Sequence, residues 1–190
     1  MGISALASQA LSAPPYLVSF LVVLLTAFLS DRYANRSKFV IFHAVFGGCG
    51  YAMIAIAGYY EAGVWWRYAG VYPASAGFFS AITIIITWTI NNQDSDSKRG
   101  TGVALLNAIG QLGPLLGTRL YPEIDRPYYV RGMSVCAGFM FFVGILALLL
   151  RTILMRENKR RCLEEEKGGG EREPFVDRGV RRPKPFMNML

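Results

Sequence analysis

The chain has 190 residues; 53% are hydrophobic and only 17% are charged, where an ordinary soluble domain carries about 25% charged residues. That apolar content excludes a disordered chain, and three cysteines are too few for a secreted disulfide scaffold. The net charge of +7 is unevenly distributed, and its distribution argues against a soluble globule.

Residues 1–30 contain no charge at all. After Lys38 there are 22 uncharged residues before Glu61, and after Arg67 there are 26 before Asp94. Arg99 to Arg119 and Arg131 to Arg151 each leave 19. A helix of that length spans about 28 Å, close to the ~30 Å hydrocarbon core of a bilayer. A Lys, Arg or Asp at mid-bilayer costs roughly 2.5–3.5 kcal/mol, so a chain that crosses lipid keeps such windows clear. A single buried-core helix could look the same, but five consecutive windows point to a membrane. The pattern predicts spans at about 14–30, 39–60, 69–91, 101–119 and 132–155. Apolar residues surround each span instead of forming one stripe, as lipid-facing helices require. Pro73 and Pro114 lie inside spans, where neighbouring helices can satisfy the freed backbone groups.

Lysine and arginine set the expected direction. The loops near 31–38 and 91–100 and the start of the tail carry ten, and the loops on the opposite side carry four. The first set is expected in the cytosol. The second set is rich in rings: Tyr59, Tyr60, Trp65, Trp66, Tyr68, Tyr121, Tyr128 and Tyr129. These suit an interfacial aromatic belt on the outer face, with a stacking platform as the alternative. Five spans with the tail inside place residues 1–13 outside. No positive region precedes them, so the chain is expected to be a piece of a longer protein.

The organisation expected is a helical membrane domain at 1–155 and a cytosolic tail at 156–190. The tail is charged and rich in glycine and proline, and its later part is expected to be disordered. Its positive charge suits attraction to anionic lipid better than nucleic-acid binding. No enzyme constellation is visible: there is one histidine, and no nucleophile elbow, zinc motif, P-loop or paired-cysteine motif. Neither a cofactor nor a metal is implied. His43, about one turn into the second span, suits either a proton relay or a hydrogen-bonded structural role.

Three stretches carry more information. Ala27, Asp31, Arg32, Asn35 and Arg36 place a carboxylate and arginines at a tight turn between two spans, where Asp31 can pair with an arginine. The run from Tyr72-Pro73 to Lys98-Arg99 includes Trp88 and Asn91-Asn92. The third stretch holds Asn107, Gln111 and the Gly113/Gly117 pair. Asn107 and Gln111 are four residues apart, so both amides share a helix face and need partners from another helix, water or a substrate. Gly113 and Gly117 have the spacing that lets membrane helices approach closely.

Together these residues resemble the C-terminal half of major facilitator superfamily transporters. The closest likeness is to the anion:cation symporter family, the fungal group related to allantoate, nicotinate and pantothenate permeases. The resemblance rests on Ala13-Pro14-Pro15-Tyr16, Ser30-Asp31-Arg32 with Arg36, Trp88 with Asn91-Asn92, and Lys98-Arg99. It continues through Asn107, Gly110-Gln111-Leu112-Gly113, Tyr121-Pro122, Pro127-Tyr128 and Gly132. These occur in the family's order over about residues 5–160. Ala27 and Asn35 stand where the family motif often has glycine, and Gln111 replaces a common asparagine. Residues 178–190 match nothing expected.

The resemblance implies an all-α membrane protein whose five transmembrane helices correspond to helices eight to twelve of a twelve-helix fold. It implies a secondary carrier of small organic anions or vitamins in the plasma membrane, coupled to protons, with a cytosolic C-terminus. Tyr72, Trp88, Asn107 and Gln111, with Tyr16, are the expected substrate-facing residues. Asp31, Arg32 and Arg36 are the expected gating residues. The expected partners are the bilayer, the substrate, protons and either the missing N-terminal half or a second copy. The alternative is a truncated, non-transporting membrane protein, either a partner-binding remnant or a gene-model fragment.

Overall fold

The computed structural model describes residues 5–33, 35–93 and 95–168. It is helical throughout: α1 (Ala5–Tyr33), α2 (Arg36–Tyr59), α3 (Val64–Asn91), α4 (Asp96–Gly110), α5 (Leu112–Leu120) and α6 (Val130–Gly168), with a 3-10 turn at Glu123–Asp125. Among the described residues there is no strand. Among the same residues four helices are long and apolar enough to cross a membrane: Gln9–Tyr33, Arg36–Tyr59, Val64–Asn91 and Val130–Glu164. Their all-round apolar surfaces leave Phe20, Leu24, Phe28, Ile56, Phe142 and Ile145 exposed, which only a lipid solvent tolerates in such numbers.

The five-span expectation therefore meets a difference at residues 101–119. That segment forms two shorter helices that break at Gln111, and neither buries a residue. The cause is Pro114. Its nitrogen cannot donate to the carbonyl of Gly110, and its ring crowds that carbonyl. The helix stops there and restarts with the proline in its first turn, where the missing donor costs nothing. α4 starts earlier than expected, at Asp96, because Ser95 caps it: its hydroxyl accepts from the Lys98 amide at 3.4 Å.

The centre of the fold is the crossing of α2 with α3 and α6. Gly47 and Gly50 of α2 meet Gly70, Ala74 and Gly77 of α3. A Cβ added at Gly77 would lie 2.7 Å from the His43 carbonyl oxygen, and one at Gly50 would strike the Ala74 backbone. Only glycine allows backbones this close. The expected close-approach pair, Gly113 and Gly117, is not used in this way: an added Cβ at either has no neighbour within 4 Å. Towards the α1–α2 turn the seam widens into a core of Val40, Ile84, Trp88 and Ala147.

α1 lies on α3. The Ser19 hydroxyl donates to the Pro15 carbonyl (2.8 Å) and lies 2.9 Å from the Ser75 hydroxyl, and Tyr68 donates to the Leu11 carbonyl at 3.0 Å. His43 Nε2 is 3.0 Å from Thr26 Oγ1, so the buried imidazole bridges α1 and α2. α2 ends in a left-handed residue, Glu61 at φ 50°, and the Ala62 amide reaches back to the Ala57 carbonyl at 2.8 Å. The ring of Tyr121 folds over Gly132, and its hydroxyl sits 3.2 Å from Cys136 Sγ. Burial, with that contact, holds the Tyr121 hydroxyl above the usual phenol range.

α6 has 39 residues, about 58 Å of helix and well beyond one bilayer. The helix thus passes residue 155 unbroken. Its last part is ordered along its own surface by Arg161–Glu157 (3.1 Å) and Arg160–Glu164 (2.8 Å) pairs. The expected disorder beyond Gly168 lies outside the described residues.

Candidate functional site

Two cavities flank the α2–α3 seam, one towards each end. The first, of about 450 Å³, opens where α1, α2, α3 and α6 converge near the α2–α3 turn. Its wall is aromatic, with Tyr16, Tyr51, Tyr68, Phe78 and Phe79, and the Ser12 and Ser75 hydroxyls add polar points. Among the described residues no charged side chain lines it. The helix pattern explains the wall. Tyr68, Ser75 and Phe79 recur at one helical spacing along α3, and Tyr16 on α1 meets Phe79 with ring centres 5.9 Å apart. A cavity of this volume with rings and a few hydroxyls fits a small organic molecule.

The substrate-facing residues expected from the sequence do not all meet. Tyr16 is exposed into the first cavity. Tyr72 stands beside it, and its hydroxyl donates to that of Tyr68 at 3.1 Å with the rings edge to face. Trp88 lies sixteen residues further along α3, about 24 Å away. It is buried in the α2–α3–α6 core and lines the second cavity, of about 550 Å³, with Thr89, Asn92, Gln93 and Leu150. Asn107 and Gln111 are exposed on α4 and at its break, beside exposed Leu105, Ile109, Leu112 and Leu115. Tyr51, Ser75 and Phe79 were not picked as site residues from the sequence, and Tyr68 was named only among the outer interfacial rings. The i, i+4 pairing of Tyr68 with Tyr72 and the hydroxyls on apolar α1 and α3 were the available signals. Arg67, the residue before Tyr68, places its guanidinium 4.5 Å over the Tyr128 ring.

At the other end the three residues that open α2 reach in two directions. Arg36 is 8% exposed, and its Nη2 donates to Asp31 at 2.7 Å. With its amide turned so that the oxygen faces the guanidinium, Asn91 accepts from Arg36 at 2.8 and 2.9 Å. Asn35 Oδ1 and the fully buried Ser37 Oγ, on either side in sequence, both accept from Arg151 of α6 at 3.1 Å. Arg32 is exposed and makes no ion pair among the described residues. Asp31 and Arg36 thus come together as the sequence suggested, and Arg32 does not join them. Asn91 had been noted in a motif without a partner, and Arg151 only as a tail charge.

No family model matches this chain, and no solved structure matches it. Curated relatives do. The chain is 26% identical over 163 residues to the MFS-type transporter cnsO of Penicillium expansum, covering 85% of this chain and 32% of that protein. It is 29% identical over 156 residues to the MFS transporter prlL of a fungal species, covering 80% and 30%. Over 183 residues it is 27% identical to the high-affinity nicotinic acid transporter of Saccharomyces cerevisiae, covering 94% and 33%. The chain thus spans about a third of the length of these relatives. They are named as transporters, which move a substrate without transforming it, so the chain's likeness is not to enzymes. Along most of its length the chain is similar to major facilitator transporters, and with four long apolar helices it is an integral membrane protein.

Proposed function

We infer that this chain is the C-terminal part of a secondary carrier that moves small organic anions or vitamins by proton symport, through alternating access. The observation that carries this reading is the likeness to transporters over 80–94% of the chain, in a protein whose membrane helices enclose a ring-lined cavity. The five apolar windows correspond to helices eight to twelve of a twelve-helix carrier. α4 and α5 together form the fourth of these crossings, interrupted at Gln111 as helices near transport sites often are. The α2–α3 turn faces outwards and α6 ends in the cytosol, in the plasma membrane.

Tyr16 and Tyr72 serve the outer part of the substrate path, and Trp88 its inner part. The amides of Asn107 and Gln111 face the wall supplied by the N-terminal half or, failing that, a second copy. The first cavity is uncharged, so it suits the ring of an aromatic acid better than its carboxylate. The carboxylate would need a cation from outside the lining, and Arg67 is the nearest in sequence. Asp31 and Arg36 act in gating at the cytosolic end, and the exposed Arg32 beside them adds only positive charge on that side.

The test is uptake by the intact protein in cells lacking their own carriers. Labelled nicotinate and a panel of organic anions are supplied with and without an inward proton gradient. Saturable uptake that rises with the gradient is the expected result, with a several-fold higher KM in Tyr16→Ala. Absence of uptake of every compound at verified surface expression overturns the reading.

A further inference from the structure

The geometry points to Arg151 as a positioning residue of the gate, with Asn91 as the contact it serves: α6 sets the start of α2 so that Arg36 can join α1 to α3. This rests on the reading of the chain as part of an alternating-access carrier. Arg32, by contrast, takes no part.

The argument begins with sequence adjacency. Asn35, Arg36 and Ser37 are consecutive, yet Arg36 reaches α1 and α3 while its two neighbours reach α6. A guanidinium offers several donors in one rigid plane, so Arg151 can hold both flanking acceptors from a single nitrogen and fix the first turn of α2. Once that turn is fixed, the Arg36 side chain has one direction to leave the helix. It then bridges the exposed Asp31 carboxylate and the Asn91 amide, which lie on different helices. A buried arginine needs such a full set of acceptors, because each one lost leaves an unpaired donor out of water.

The electrostatics make the tie conditional. Two guanidiniums, Arg36 and Arg151, meet at a helix N-terminus whose own dipole is positive. Among the described residues the one carboxylate paired in the cluster is Asp31, and it is largely exposed. Among these residues the ends of α1, α2 and α3 and the middle of α6 are therefore held by directional hydrogen bonds against a net positive charge. Such a contact forms only when the helices are in register and releases as a unit when they are not, which is the behaviour a gate between two states needs. Lysine at position 151 would keep the charge and lose the planar fork, so it should restore the tie only in part.

The test uses the intact protein with its native cysteines replaced and Ser12→Cys added as a reporter at the cavity near the α2–α3 turn. The probe is a membrane-impermeant maleimide applied from that side. Loosening the opposite end should favour the state in which this cavity is closed. Arg151→Ala and Asn91→Ala should slow labelling by roughly fivefold, Arg151→Lys by less, and Arg32→Ala not at all. Ser37→Ala removes one acceptor and leaves the cation in place, so it scores the proposal if Arg151→Ala does not reach the membrane. An unchanged rate in Arg151→Ala, or in Ser37→Ala where that stands in for it, overturns the proposal. So does an equal slowing in Arg32→Ala. Labelling needs no substrate, so a protein that transports nothing would sink the functional reading while these rates still judged the latch.

Discussion

The α2–α3 seam and the α4–α5 arm are both apolar, both contain a proline and both carry paired glycines, yet one is the most closely packed part of the molecule and the other buries nothing. Pro73 sits inside an unbroken 28-residue helix, while Pro114 ends one helix and begins another. The difference lies in the neighbours. Around Pro73, α2 presents Gly50 to the Ala74 backbone, and α3 is held against it on one side and against α1 on the other. Around Pro114 no packed helix restores what the proline removes. Close packing therefore depends on which small residues find a partner, and spacing along one helix does not reveal that.

The largest effect should come from filling the seam. Gly50→Leu drives a side chain into the α3 backbone, which cannot move aside as a flexible side chain would. Overpacking in a core costs typically ~1–3 kcal/mol, and a backbone clash belongs at or above the top of that range. The expected outcome is loss of the folded protein from the membrane fraction and loss of protease resistance in detergent. A Gly50→Leu protein that is as stable as the parent would show that the seam is not the centre of the fold.

Next in size is the tie at the end of the seam. Asp31→Asn removes the carboxylate from Arg36 and keeps the shape. A hydrogen bond to a charged group is worth about 1.5–3 kcal/mol, but Asp31 is 68% exposed, and solvent reduces that to about 1 kcal/mol. Transport should slow by roughly fivefold at equal surface level. An unchanged rate would reduce the motif to charge placement alone.

How much of this was legible in the sequence follows from the kind of signal each feature leaves. Long charge-free windows record the cost of burying a charge in lipid, so α1, α2, α3 and α6 were readable within a few residues at most ends. Asp31 and Arg36 were readable as a pair because they flank one short turn. The Arg36–Asn91 and Arg151–Ser37 contacts were not, because they join residues 55 and 114 positions apart, and only the packing of α2 brings them together. The aromatic cavity was half visible. Tyr16 and Tyr72 were chosen by resemblance, whereas Tyr68 looked like an ordinary interfacial ring and Tyr51, within a span, carried no signal of its own. Trp88 was chosen for its place in a motif, and the structure packs it among Val40, Ile84 and Ala147 while it also lines the second cavity.

A smaller effect is expected from Pro114→Ala. Restoring the amide should let α4 and α5 join through Gln111, since proline costs roughly 3 kcal/mol in a helix interior and alanine costs nothing there. Cysteines placed at Leu105 and Leu116 should then change their relative labelling, while overall stability stays within about 1 kcal/mol. If instead the segment stays broken, Gly110 and Gly113 are enough to interrupt it, and the comparison with Pro73 loses its cause.

The smallest effect, and the one that sharpens the contrast most, is expected at Gly113. An added Cβ there meets nothing within 4 Å, whereas at Gly50 it meets backbone. In an exposed helix alanine is favoured over glycine by about 0.8–1 kcal/mol, so Gly113→Ala should leave the stability of the chain unchanged or slightly raised. Thermal unfolding in detergent, followed by helical signal, measures this directly. The same substitution in the intact protein asks a second question. If the remaining helices of the carrier dock on the α4–α5 arm through Gly113 and Gly117, the Cβ that was harmless in the isolated chain will cost packing there, and Gly113→Leu will cost more than Gly113→Ala. Equal tolerance of both in both settings would mean that the arm faces lipid throughout, and that Asn107 and Gln111 must find their partners without a close helix contact.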